Sequence, residues 1–207
     1  MKQFSWLTVI LALGVCAVCM RMACERNSDI ACDSSDMDVL SYIMDRASVR
    51  NYTDSVPSDS VIELLLKAGM AAHSSGNKQP WRLIVVDDKT IKDSIGNSFH
   101  NARSTANAPV AIVVCGVPSE TYRGDSYWVA DCSAMSQNIA LAAHAMGWGS
   151  VISALYPKEE RVDKVRELLH VPDSVVPYAI IPIGYPKAVN TAKNKWDENK
   201  VYKNRFD

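Results

Sequence analysis

The sequence predicts an α+β fold in which one sheet is covered by helices on both faces. Three observations carry this reading. Helical and extended segments alternate through the middle of the chain, after two helices that come first. The run from Pro109 to Val117 is apolar at every alternate position on both sides, as a central strand requires. The segment from Tyr127 to Met146 is rich in Ala and apolar nearly all round, which marks a buried helix.

The elements follow in order. Met37 to Arg46 carries Val39, Leu40, Ile43 and Met44 at helical spacing. Pro57-Ser58-Asp59 opens a second helix, with Ser58 or Asp59 as its cap and Val61, Ile62, Leu65, Leu66 and Ala68 on its buried face. Trp81 to Val86 is a near-continuous apolar strand, and Lys89 to Phe99 a helix. Pro109 to Val117 is the second strand, Tyr127 to Met146 the long helix, and Val151 to Leu155 the third strand. Lys158 to Leu169 is an exposed helix turning Val162, Val165, Leu168 and Leu169 inward, before a fourth strand from Val176 to Gly184. From Pro186 the chain is polar and aperiodic. Its Trp196, Tyr202 and Phe206 want burial, so the tail is expected to lie across another surface.

Composition narrows the function classes. The 207 residues carry 22 Lys plus Arg against 23 Asp plus Glu, a net charge of -1, which gives no general attraction to nucleic acid. Of the six Cys, Cys16, Cys19 and Cys24 fall at the N-terminal apolar stretch, leaving Cys32, Cys115 and Cys132 in the body. These form no zinc spacing and no closed disulfide framework, and Cys115 and Cys132 read as buried apolar fillers. The four His, at 73, 100, 144 and 170, have no ligand spacing, and His144 reads as a core residue. There is no phosphate-cradling glycine loop and no nucleophile elbow. An enzyme of this composition would rely on a cofactor for its hard chemistry.

Residues 1–30 read as a signal peptide or membrane anchor with a tether, and residues 31–207 as the folded domain. Lys2 precedes an uncharged run of 17 residues, Phe4 to Met20, a length suited to a signal-peptide core. Ala23-Cys24 suggests a bacterial lipoprotein, with a retained anchor as the alternative. Either way the body is expected outside the cytoplasm at the cell envelope, touching membrane only through its leader or lipid.

Two segments carry chemistry. In Arg46-Ala47-Ser48-Val49-Arg50, two Arg bracket a Ser at alternate positions. An extended chain points such residues the same way, so the three could converge on one small anion; a solvated surface charge pair is the alternative. The loop His73-Ser74-Ser75-Gly76-Asn77-Lys78-Gln79-Pro80-Trp81 is dense in small residues and amides. Amide side chains present donor and acceptor together, matching a heterocycle edge that alternates C=O and N–H. The alternative is a helix C-terminal loop with Gly76 left-handed.

Together these segments resemble the nitroreductase family of flavin enzymes, whose RxSxR pattern matches Arg46-Ser48-Arg50 and whose NxQPW pattern matches Asn77 to Trp81. The helix end from Ala142 to Gly149 resembles the family's central dimer helix, and Gly184-Tyr185-Pro186 its closing strand and turn. The resemblance covers roughly residues 37–207 and implies a three-layer α-β-α sandwich, a mostly antiparallel or mixed central sheet, and a domain-swapped C-terminal tail.

It also implies a homodimer binding FMN at its interface, with NAD(P)H as electron donor. Arg46, Ser48 and Arg50 would hold the phosphate and the pyrimidine side, with Arg50 stabilising the negative charge that reduction leaves near N1 and O2. Ser74, Ser75 and Asn77 would reach the flavin from the other subunit. Asn101 and Arg103 lie where the family has an amide and a base near the ring. Ser153, Ala154 and Leu155 match the turn whose backbone N–H faces N5. Lys193 and Lys195 align with basic residues at the phosphate, with Arg205 as a fallback. The implied reaction is two-electron transfer by a ping-pong route to nitroaromatic, quinone or similar small acceptors. The competing reading is a flavin-binding envelope lipoprotein without catalysis.

Overall fold

The computed structural model describes residues 34–206, so the leader lies outside the described residues. The chain divides into two units, Met1–Val39 and Leu40–Asp207. Of the first, only the opening turns of a helix are described.

Among the described residues, five α-helices and five strands build the fold: α1 (Ser34–Asp45), α2 (Asp59–Met70), β1 (Trp81–Val86), α3 (Lys89–Ser98), β2 (Val110–Gly116), α4 (Trp128–Ala145), β3 (Gly149–Ser150), β4 (Ser153–Ala154), α5 (Glu159–Leu169) and β5 (Val176–Gly184). The strands form one sheet in the order β1-β2-β5-β3, with β4 also pairing β5, and every named pair is antiparallel. Each expected element is present within a few residues of its expected bounds, except the third strand.

The alternation along β2 builds two cores at once. Val110, Ile112 and Val114 pack with Leu65 of α2 and Cys132, Met135 and Ile139 of α4. Ala111, Val113 and Cys115 pack on the opposite face with Ile95 of α3 and Val162 and Val165 of α5. All seven residues of β2 are buried. An antiparallel sheet commonly leaves one face to water, but here helices cover both.

The expected strand Val151–Leu155 is replaced by two short pieces in one register, Ser150 opposite Ile183 and Ser153 opposite Ile180. Pro182 stands between these partners and has no N–H for a ladder bond. Its carbonyl instead accepts from the Tyr52 hydroxyl at 3.2 Å. Proline acts again at Pro177, where the β2–β5 register shifts between Val114 and Cys115.

Two expectations of burial change in the single chain. α4 buries one face only, and Val129, Ser133 and Gln137, four residues apart, are exposed along the other. On α1, Leu40, Ile43 and Met44 are also exposed. His144 is half-buried, its ring edge-on to Tyr42 at 6.2 Å. Trp81, Cys115 and Cys132 are buried as expected. The tail aromatics are bare, with Trp196 75% and Phe206 84% exposed. Among the described residues no helix is long and apolar enough to cross a membrane.

Candidate active site

The segment after α1 runs extended along the end of the sheet. Ser48 bridges Ser150 in parallel, and the Val49 N–H donates to the Ser150 carbonyl at 2.9 Å. Further on, the Thr53 N–H donates to the Tyr185 carbonyl at 2.9 Å and the Lys187 N–H to the Asn51 carbonyl at 3.1 Å. Val49 and Tyr52 are the inward anchors. The Tyr52 hydroxyl donates to the Val49 carbonyl at 2.6 Å, and burial pushes its phenol pKa up, so it stays a neutral donor. Gly149 is required beneath Val49, since a Cβ there would lie 2.7 Å from the valine side chain.

This alternation sorts the side chains. Ala47 and Val49 line a largely apolar cavity of about 470 Å³ with Trp148 and Tyr185. Arg50 lines a different cavity of about 540 Å³ that also takes in Asn101, Arg103, Ser153 and Ala154. Five of the expected site residues, from three separate segments, therefore share one wall.

Reciprocal hydrogen bonds clip that wall together. The Asn101 amide donates to the Ala154 carbonyl at 2.9 Å, and the Ser153 hydroxyl donates to the Asn101 carbonyl at 2.8 Å. The clip leaves Asn101 Oδ1 buried without a partner. Sequence reasoning missed Asn51, His100, Ser104 and Asn107, which also line the cavity. Residues 100–105 form a 3₁₀ helix, where positions three apart eclipse, so Ser104 falls over Asn101. A three-residue period was the available signal, but the segment reads from sequence as a plain helix end. The Ser104 hydroxyl, like Asn101 Oδ1, is buried and unpartnered.

The other expected residues are not gathered here. Arg46 and Ser48 do not line the Arg50 cavity, and Arg46 is half-buried with its Nε buried and unpartnered. Convergence of the three residues on one anion is thus not built within the single chain. Ser74, Ser75 and Asn77 sit on a separate loop that lines none of this wall. There Gly76 is left-handed at φ +58°, and the Ser75 N–H and hydroxyl are both engaged by Asp131 Oδ1, at 3.1 and 3.4 Å. Lys193 and Lys195 are exposed on the tail.

Leu155 requires a correction. Its side chain is wholly buried in the core against α3 and α5, and its N–H donates to the Tyr178 carbonyl at 2.9 Å. That N–H is engaged in the fold and not presented to a ligand. Ala154, one residue earlier, is the exposed member of the turn.

The sequence profile of the nitroreductase family matches residues 43–103 and 98–185. The chain belongs to the nitroreductase family. Among nitroreductase relatives, a protein of Archaeoglobus fulgidus named "Putative NADH dehydrogenase/NAD(P)H nitroreductase" is 39% identical over 170 residues, spanning 81% of this chain and 98% of its own. A crystal structure of the same description from Parabacteroides distasonis is 39% identical, with a TM-score of 0.77 over 81% of this chain and 98% of that one. A solved FMN-dependent nitroreductase from Clostridium difficile is 29% identical, with a TM-score of 0.75 over 81% and 99% of the two chains.

Proposed function

We propose that this nitroreductase-family chain is an FMN-dependent oxidoreductase passing two electrons from NAD(P)H to a small organic acceptor such as a nitroaromatic or quinone. The observation that carries it is the clipped wall of the Arg50 cavity. Two cations, Arg50 and Arg103, line one space there beside the clip of Asn101, Ser153 and Ala154, with Asn101 Oδ1 buried and unpartnered in that wall. These groups fit a flat, hydrogen-bonding ring that gains negative charge.

FMN, when bound, supplies the hydride acceptance and donation that no side chain of this set offers. Arg50 and Arg103 would favour negative charge along one edge of the ring. Asn101, Ser153 and Ala154 would form the clipped wall against which the ring lies. Arg46, Ser48, Lys193 and Lys195 would hold the phosphate. Ser74 and Asn77 would come from a second subunit, as would the tail lysines. A homodimer is supported by the exposed apolar residues Ile43, Met44, Leu64, Met70 and Val129 and by the bare tail aromatics. One space for donor and acceptor in turn predicts ping-pong kinetics.

The test is the visible spectrum of the purified full chain, followed by anaerobic NADH or NADPH. A flavin spectrum that bleaches supports the reductase. A flavin spectrum that neither donor bleaches would replace it with a binding protein. No flavin after incubation with FMN would remove the cofactor assignment. From residues 1–30 alone we place the chain at the cell envelope. Recovery in the soluble cytoplasmic fraction would refute that placement.

A further inference from the structure

The loop Ser74–Gln79 holds an unfavourable backbone. Gly76, Asn77 and Gln79 all have positive φ, at 58°, 53° and 52°, and two of them are not glycine. Non-glycine residues hold such a conformation only when their surroundings over-determine it. Part of the restraint is internal. The Gln79 N–H donates to Ser74 Oγ at 3.0 Å, and the Gln79 amide donates to Asn77 Oδ1 at 3.0 Å. The second bond ties the Asn77 side chain to that of Gln79 through Asn77 Oδ1.

The remaining restraint comes from two side chains outside the loop. Asp131, in the first turn of α4 and only 2% exposed, accepts from both the N–H and the hydroxyl of Ser75. Tyr122 lies directly over Gly76, its ring 2.2 Å from where a Cβ would stand. That ring is itself held. Tyr122 and Asp125 exchange backbone hydrogen bonds of 2.9 and 3.1 Å, and the Arg123 guanidinium sits 5.2 Å from the ring centre.

We infer that Asp131 and Tyr122 are positioning residues that hold the Ser74–Gln79 loop in its cofactor-binding shape, so that flavin affinity depends on a buried carboxylate and a ring acting through the loop. This rests on the reading that Asn77 and its neighbours face a bound flavin.

The experiment is FMN titration by fluorescence quenching, with thermal unfolding of the flavin-free protein measured in parallel. Asp131→Ala is expected to weaken FMN binding about tenfold or more, the size of a lost hydrogen bond to a charged group. Asp131→Asn keeps an oxygen acceptor for the Ser75 N–H and is expected to restore most of the affinity. A role confined to α4 stability would lower the unfolding temperature and leave affinity unchanged, overturning the inference.

Asn77→Ala separates the two levels. Unchanged affinity in that variant removes the reading of the loop as a flavin contact. Weakened affinity there with an unaffected Asp131→Ala removes the inference alone. Acting through the loop also predicts that Asp131→Ala adds little once Asn77 is already Ala; full additivity refutes it. Should Asp131→Ala fail to fold, Tyr122 carries the test. Tyr122→Phe is expected to bind as the parent and Tyr122→Ala several-fold more weakly, and equal affinities would overturn the proposal.

Discussion

Raising the pH should unfold this protein through two thiols that no reaction uses. Cys115 in β2 and Cys132 in α4 are both fully buried, and Cys132 Sγ lies 3.6 Å from the Cys115 carbonyl. Burial pushes each thiol from an ordinary 9.0 to about 12; Arg166 opposes this slightly at Cys115, while Cys115 and Asp131 add to it at Cys132. In the folded state these thiols keep their protons while in the unfolded chain they ionise. Their contribution is therefore intact below pH 9 and is lost as pH rises toward 12. Each thiol loses about 1.4 kcal/mol per pH unit in that window, so at pH 10.5 the two together remove roughly 4 kcal/mol. The assay is urea unfolding at pH 8 and pH 10.5 for the parent and for Cys115→Ala/Cys132→Ala. Tyr52 and Lys92, also shifted by burial, are present in both proteins and cancel in the comparison. The double variant starts less stable, because Ala leaves small cavities, but its stability should fall by several kcal/mol less over the pH change. Equal losses in the two proteins would refute the assignment of the alkaline slope to these thiols.

Three further outcomes are expected. Arg50→Ala should weaken FMN binding by roughly 1.5–3 kcal/mol, read by fluorescence titration, because it removes a charge-assisted donor from the cavity wall. Gly116→Ala should destabilise the fold by roughly 1–3 kcal/mol in urea, since its Cβ would meet the buried Trp128 ring at 2.1 Å. Deleting residues 190–207 should convert a dimer to a monomer by light scattering and lower FMN affinity. An intact dimer would remove the tail from the interface.

Much of the framework was legible because burial writes a period into a sequence. The uninterrupted apolar run of β2 announced a strand covered on both sides, and the structure divides its residues alternately between two cores. The spacing of Arg46, Ser48 and Arg50 announced an extended segment, and Ala47 and Val49 do turn to a different cavity from Arg50. The break between β3 and β4 was not legible. It depends on Pro182, about thirty residues away in sequence, standing opposite Val151 without an N–H. Leu155 was misplaced for a related reason. Next to Ser153 and Ala154 it looks like part of one turn, but the strand pairing turns it into the core.

The sequence by itself determined the fold class, the family and the residue types that face the candidate site, because periodicity and short motifs are local properties of the chain. Only the tertiary structure decided which of those residues share a wall. Hydrogen bonds between Asn101, Ser153 and Ala154 join segments some fifty residues apart, and no local pattern records them. It likewise brought Asp131 to Ser75 and Tyr122 to Gly76, contacts that depend on how α4 and its preceding loop pack against a loop encoded far upstream.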